Sequence, residues 1–219
     1  VTILDEMIPA IELIFKGIII GLIVSVPMGP AGIVLVNRTI KRGLLSGFFS
    51  GMGVVVADTI LAIVAGLGFT FIISFFEDEK VIISLISGLV IIGAGIKIIV
   101  SNPIKEFRKK ERGKKTLLRD FISILILSLS NPLTIFVFVA FFSGINVNQT
   151  VKPQLVPFLL VPGIFLGTLG WWAFLSWFVN RFKRKIRLRG IVRVNQIAGI
   201  LIMALGAVLL ISLFTTSMG

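Results

Sequence analysis

Six long apolar stretches divide the chain, at about 8–36, 44–75, 81–100, 120–143, 154–179 and 194–214. A helix rises 1.5 Å per residue, so about 20 such residues cross the ~30 Å hydrocarbon core of a bilayer. The pattern predicts an all-α integral membrane protein with six transmembrane helices. No polar stretch between them is long enough to fold alone, so residues 1–219 read as one transmembrane domain. The opening VTILDEM is acidic where a signal peptide is basic, and no small-residue cleavage motif follows the first apolar run. That run therefore reads as a retained span.

The apolar pattern repeats. SGLVIIGAGIKIIVS (87–101) aligns without gaps on AGILIMALGAVLLIS (198–212), which sets Gly88 on Gly199 and Gly95 on Gly206. GFFSGMGVVVAD (47–58) aligns on GIFLGTLGWWAF (163–174), so the Gly47/Gly51 pair meets Gly163/Gly167. Span three thus resembles span six, and span two resembles span five. Three spans per repeat force the two halves into opposite orientations. The expected organisation is one repeat at about 8–102, a basic cytoplasmic loop at about 103–119, and a second repeat at about 120–214. Inverted repeats of this kind are a transporter signature, with the site where the halves meet. The paired glycines also read as helix-packing positions that let helices approach and slide.

Two spans are interrupted at corresponding places. Span one contains Ser25-Val26-Pro27-Met28-Gly29-Pro30, and span four contains Ser128-Leu129-Ser130-Asn131-Pro132. Proline cannot donate a backbone hydrogen bond and clashes with the preceding turn, so these segments free carbonyls at membrane depth. Such carbonyls are tolerated only where protein buries them or a watery cavity meets them. A broken pair of this sort marks a candidate site in which helix N-termini face a carboxylate and helix C-termini face an ammonium. Ser25, Ser128 and Asn131 are the candidate side-chain contacts, beside the backbone of Pro27, Met28, Gly29, Pro30, Ser130 and Pro132. Met28 and Phe136 could shape a pocket, although either is more commonly plain packing.

Charge changes the picture next. The net charge is +12, and 18 of the 22 Lys and Arg residues fall at 38–42, 105–119 and 181–193, in three alternate loops. The positive-inside rule puts those loops in the cytoplasm and both termini outside, in a multi-pass protein of the cell membrane. The basic loops read as topology signals facing anionic lipid, with nucleic-acid binding a poor second. Glu12 and Lys16 form an i,i+4 pair on the first span, and Trp177 reads as an interfacial anchor.

Composition then removes whole classes of chemistry. The chain has no Cys, His or Tyr. Thiol redox, zinc and haem ligation, and Ser-His or Cys-His triads are thereby excluded. The residue set calls for no cofactor. Asp58 stands alone within VVVADTILAIVAG, where a carboxylate costs roughly 2.5–3.5 kcal/mol on insertion scales and is by default a functional group. The plainer reading is an acid that hydrogen-bonds a neighbouring helix. A lone carboxylate makes neither an enzyme's acid/base pair nor a good metal cage.

PMGPAGIVLVNRTIKRGLLSGFFSGMGVVVAD (27–58) resembles the lysine-exporter (LysE/RhtB) family of amino-acid exporters. The likeness rests on Pro27, Gly29, Pro30 and a basic residue seven or eight positions on. A Gly-patterned second span reaching Asp58, and Asn131-Pro132 in the fourth span, complete it. Where that family often has Lys after the Asn-Pro, this chain has Leu133. The resemblance implies export of amino acids or related small solutes driven by the proton gradient. Asp58 is then the coupling acid, because burial disfavours the charged form of an acid. The rival classes are a membrane-embedded metal-ion exporter and a non-transporting scaffold. The sequence is equally compatible with a monomer and a homo-oligomer.

Overall fold

A computed structural model describes residues 3–27, 29–75, 116–143 and 156–183, together with individual helical positions between 85 and 100 and between 190 and 211. Six helices run continuously through the described residues: α1 (Ile3–Ser25), α2 (Pro30–Arg42), α3 (Leu44–Phe75), α4 (Leu117–Leu129), α5 (Pro132–Ser143) and α6 (Val156–Phe182). The expected third and sixth spans fall largely outside the described residues.

The two interruptions are real breaks. α3 and α6 are each long and apolar enough to cross a membrane, over Leu44–Gly68 and Val156–Phe182. α1 with α2, and α4 with α5, each qualify only as one bent span, with bends of 77° and 64°. The described residues therefore hold two to four spans. Pro30 and Pro132 each open the second half-helix, at the first helical position. There a missing N–H costs nothing, because the first turn's donors have no intrahelical acceptor. Pro27, still in the break, denies Ile23 its usual i+4 donor. Pro162, by contrast, lies inside α6 without breaking it.

One boundary differs from the expectation. The first span was expected to end near 36 and give way to a basic loop, but α2 continues through Arg42. The turn into α3 is Gly43 alone, with φ 91° and ψ −176°, and its N–H donates to the Thr39 carbonyl at 2.9 Å. That backbone region is essentially glycine-only. The three basic residues after span one are thus helical.

Glycines set how the helices meet. Gly17 lies against Leu160 and Gly163, and Gly21 against Ile164 and Thr168, so α1 and α6 run parallel in close backbone contact. Ser46 bonds Asp120 while Gly53 faces Phe121 and Leu125, so α3 and α4 are also parallel. Gly51 meets Trp172 and Gly66 meets Pro157, so α3 and α6 are antiparallel. Six alternating spans require these three relations. Gly47 has a different neighbour, leaving room for the Thr39 side chain. Farther along the chain, a methyl built on Gly95 would stand 2.8 Å from the Gly199 carbonyl oxygen, and one on Gly88 3.5 Å from that of Gly206.

Two apolar cores result. One gathers Leu13 and Ile20 of α1, Leu61, Ala62 and Ala65 of α3, Phe138 and Phe142 of α5, and Val156, Leu160 and Ile164 of α6. The other gathers Ile33, Leu35 and Val36 of α2, Val54 and Val55 of α3, Ile124 of α4, and Trp172, Leu175 and Val179 of α6. Large apolar side chains such as Phe15, Ile19, Leu166 and Phe174 cover the outside. That distribution suits a lipid solvent. The Lys16–Glu12 pair forms at 2.7 Å, and Trp177 is exposed, as expected for a surface anchor.

Candidate functional site

A polar layer separates the two cores. On α3 one core ends at Val55 and the other begins at Leu61, with Asp58 between them. On α6 the corresponding edges are Ile164 and Trp172, with Thr168 between. Both breaks reach this depth. Gly21 touches Thr168, so one turn farther along the parallel pair Ser25 comes level with Thr168–Trp172. Gly53 faces Phe121–Leu125, so Asp58, five residues on, comes level with Ser128. The fold thus brings Ser25, Asp58 and Ser128 to neighbouring depths.

The hydroxyls in this layer are unusual. Ser and Thr in apolar helices commonly donate to the carbonyl one turn back. Thr39, Thr59, Ser130, Thr168 and Ser176 all do so, at 2.7–2.9 Å. Ser25 and Ser128 are 1% and 7% exposed, yet their Oγ atoms make no hydrogen bond. A buried polar group without a partner costs roughly 1–3 kcal/mol, so such groups call for an explanation. Asp58 is equally buried, at 6% exposed, and no ion pair or hydrogen bond reaches it among the described residues.

The remaining break residues divide. Asn131 Nδ2 donates to Thr134 Oγ1 at 3.2 Å, and the Asn131 N–H donates to the Ser128 carbonyl at 3.0 Å, so Asn131 is partly spent on shaping α5's start. Ser130 is exposed, and its hydroxyl donates to the Ile126 carbonyl at 2.7 Å. The Gly29 N–H folds back on the Pro27 carbonyl at 2.8 Å, and Gly29 offers α2 no side-chain cap. Met28 lies outside the described residues. Phe136 is exposed.

Two features escaped the sequence reading. Trp171 and Trp172 carry buried indole N–H groups without acceptors at the depth of Ser25. Their signal was the WW pair in the middle of span five. The second feature lies toward the basic end, where α2 turns into α3 and α4 begins. Asp120, 2% exposed, receives Arg42 Nη2 on Oδ1 at 2.5 Å and Ser46 Oγ on Oδ2 at 2.6 Å. Arg38, 7% exposed, sets Nε 3.6 Å from Oδ1 and donates Nη1 to the Asp120 carbonyl at 2.8 Å. It also donates Nη1 to Ser50 at 3.1 Å and Nη2 to Ser123 at 2.8 Å. Arg38 and Arg42 are therefore occupied inside the protein, which corrects their reading as charges that face lipid. Asp58 is likewise not the sole buried acid.

Paired sharp breaks, lipid-facing surfaces and a polar layer at mid-depth define a multi-pass α-helical membrane protein. The LysE type translocator model matches residues 22–213, and the chain belongs to that family. It is similar to the "Putative amino acid efflux protein YcgF" of Bacillus subtilis (strain 168), 26% identical over 194 residues, covering 86% of this chain and 90% of that one. It is also similar to the "Uncharacterized membrane protein slr1627" of Synechocystis sp., 25% identical over 177 residues, covering 80% and 84%. No solved structure matches the chain. Members of the family are transporters, not enzymes.

Proposed function

We propose that this translocator exports amino acids or similar small zwitterionic or cationic solutes, coupled to protons through alternating access. The observation that carries the reading is the polar layer, where two broken helices leave unbonded Ser25 and Ser128 hydroxyls at the depth of Asp58. In this reading the substrate lies between the breaks. The uncapped start of α2 and the indole N–H groups of Trp171 and Trp172 face its carboxylate. Carbonyls freed at the end of α1 face its ammonium. Asp58 takes a proton on the outer side and releases it on the inner side. The family and the efflux name of the Bacillus relative support the direction and the substrate class.

Six spans in two inverted repeats belong to the same reading. Support comes from the parallel α1–α6 and α3–α4 pairs, which would be symmetry mates. The Gly95–Gly199 and Gly88–Gly206 approaches also exchange under the 87–101 to 198–212 alignment, as an isologous contact requires. The cell membrane, both termini outside, and anionic lipid at 105–119 and 181–193 follow from the charge pattern.

The test is counterflow in proteoliposomes: purified protein, unlabelled amino acid inside, labelled amino acid outside, screened one amino acid at a time. At least one should accumulate transiently above the level in protein-free vesicles. No counterflow by any amino acid would reject the substrate class. Within this scheme Pro132→Ala should remove the ring that clashes with the carbonyl one turn back, let α4 continue into α5 and weaken binding of the counterflow substrate about tenfold. Expression should stay near normal. Unchanged affinity would reduce that break to an ordinary kink.

A further inference from the structure

We propose that the Arg38–Asp120 network is a gate, holding the basic end of the bundle shut in this conformation and parting when the mid-depth layer opens to that end. It joins α2, the second half of one broken span, to α4, the first half of the other, with Ser46 and Ser50 of α3 between them. These half-helices lead to the two breaks, so separating them would uncover the layer. Ser46 lies twelve residues before Asp58 on α3, about 18 Å along the helix axis. Its nearer members, Ser50 and Ser123, lie eight residues before Asp58 and five before Ser128, about 12 and 8 Å along the helix axes, so the network stands between the Ser25–Asp58–Ser128 layer and the basic end.

The chemistry suits a part that must open as well as close. A buried ion pair is a weak source of stability, since apolar side chains of similar volume commonly do as well, and its best-attested use is to specify one arrangement over another. Both carboxylate oxygens and the main-chain carbonyl of Asp120 are engaged, which makes the closed arrangement specific. The Arg42 side chain is 17% exposed, so the network meets the protein surface on one side. Water entering there can solvate both charges as they part, which a fully interior pair would not allow.

The purpose of the gate rests on the alternating-access reading, but its test reads accessibility and needs no substrate. Ser128→Cys gives the chain a single thiol in the polar layer, because it has no native Cys. The full-length protein in sealed vesicles of each orientation is treated with a charged, membrane-impermeant methanethiosulfonate. Adding Asp120→Asn should raise the labelling rate from the face with the basic loops about tenfold, the change implied by the low end of measured close charge-pair couplings. Labelling from the opposite face should fall. Ser46→Ala should shift both rates in the same directions by less, and it carries the test if Asp120→Asn does not reach the membrane folded. A purely structural network predicts a lower thermal midpoint with labelling that rises equally from both faces or does not change. Either result overturns the gate. A parent chain without amino-acid flux leaves this readout intact, so the gate and the proposed substrate fail separately.

Discussion

Asp58→Asn is expected to lose flux driven by a pH gradient, down to the rate of protein-free vesicles, while substrate binding and exchange persist. Asp58 is 6% exposed in the polar layer, with no ion pair or hydrogen bond among the described residues. Asparagine keeps its size and hydrogen-bonding capacity but cannot carry a proton. Exchange moves one substrate each way and needs no net proton transfer, so it should survive. An Asp58 that is only structural predicts a modest, parallel loss of both rates. Gradient-driven flux and exchange measured on the same purified variant separate these outcomes. Normal driven flux would remove Asp58 from the mechanism. Asp120 offers no ready substitute, because two arginines and a serine occupy its carboxylate at the basic end.

Gly163→Val is expected to abolish or severely reduce folded protein. A side chain there would drive into the Ile14 carbonyl and the Gly17 backbone of α1, and one at Gly167 into the Ile18 carbonyl. Overpacking ordinarily costs about 1–3 kcal/mol, occasionally more, when side chains can shift. Here the obstacle is helix backbone, so the α1–α6 interface must separate. Gly170→Val is the control on the same helix, since a methyl there meets nothing within 4 Å. Size-exclusion yield and thermal midpoint in detergent should collapse for Gly163→Val and stay near the parent for Gly170→Val. Equal behaviour of the two variants would remove the close approach of α1 and α6 from the account.

Which features were legible in the sequence follows from the range of the forces that create them. Hydrophobic length and proline position act locally, so α3, α6 and both breaks fall where the pattern put them. The directions of α1, α3, α4 and α6 follow from alternating charge in the loops. The partners of particular side chains did not follow. Arg38 and Asp120 are 82 positions apart, and each sits in or beside a basic run that reads as a topology signal. Only the packing of α2 and α4 onto α3 brings them together. Gly47 and Gly51 have the same spacing as Gly163 and Gly167, yet they admit Thr39 and Trp172 side chains where the latter pair admits a helix backbone. Spacing reveals that something must come close, but not what. The tryptophans were missed because an aromatic pair inside an apolar span looks like filler until its N–H groups are seen to lack acceptors.

The central claim is that substrate binds between the two breaks, and protection from alkylation tests it most directly. Ser25→Cys and Ser128→Cys, made one at a time in this cysteine-free chain, place a thiol beside each break in the polar layer. The amino acid found by counterflow should slow the alkylation of both thiols, at concentrations matching its own affinity for each variant. Gly170→Cys, made in the same way, should be unaffected. Protection of neither Ser25→Cys nor Ser128→Cys, in variants that still bind the substrate, would contradict a site between the broken helices.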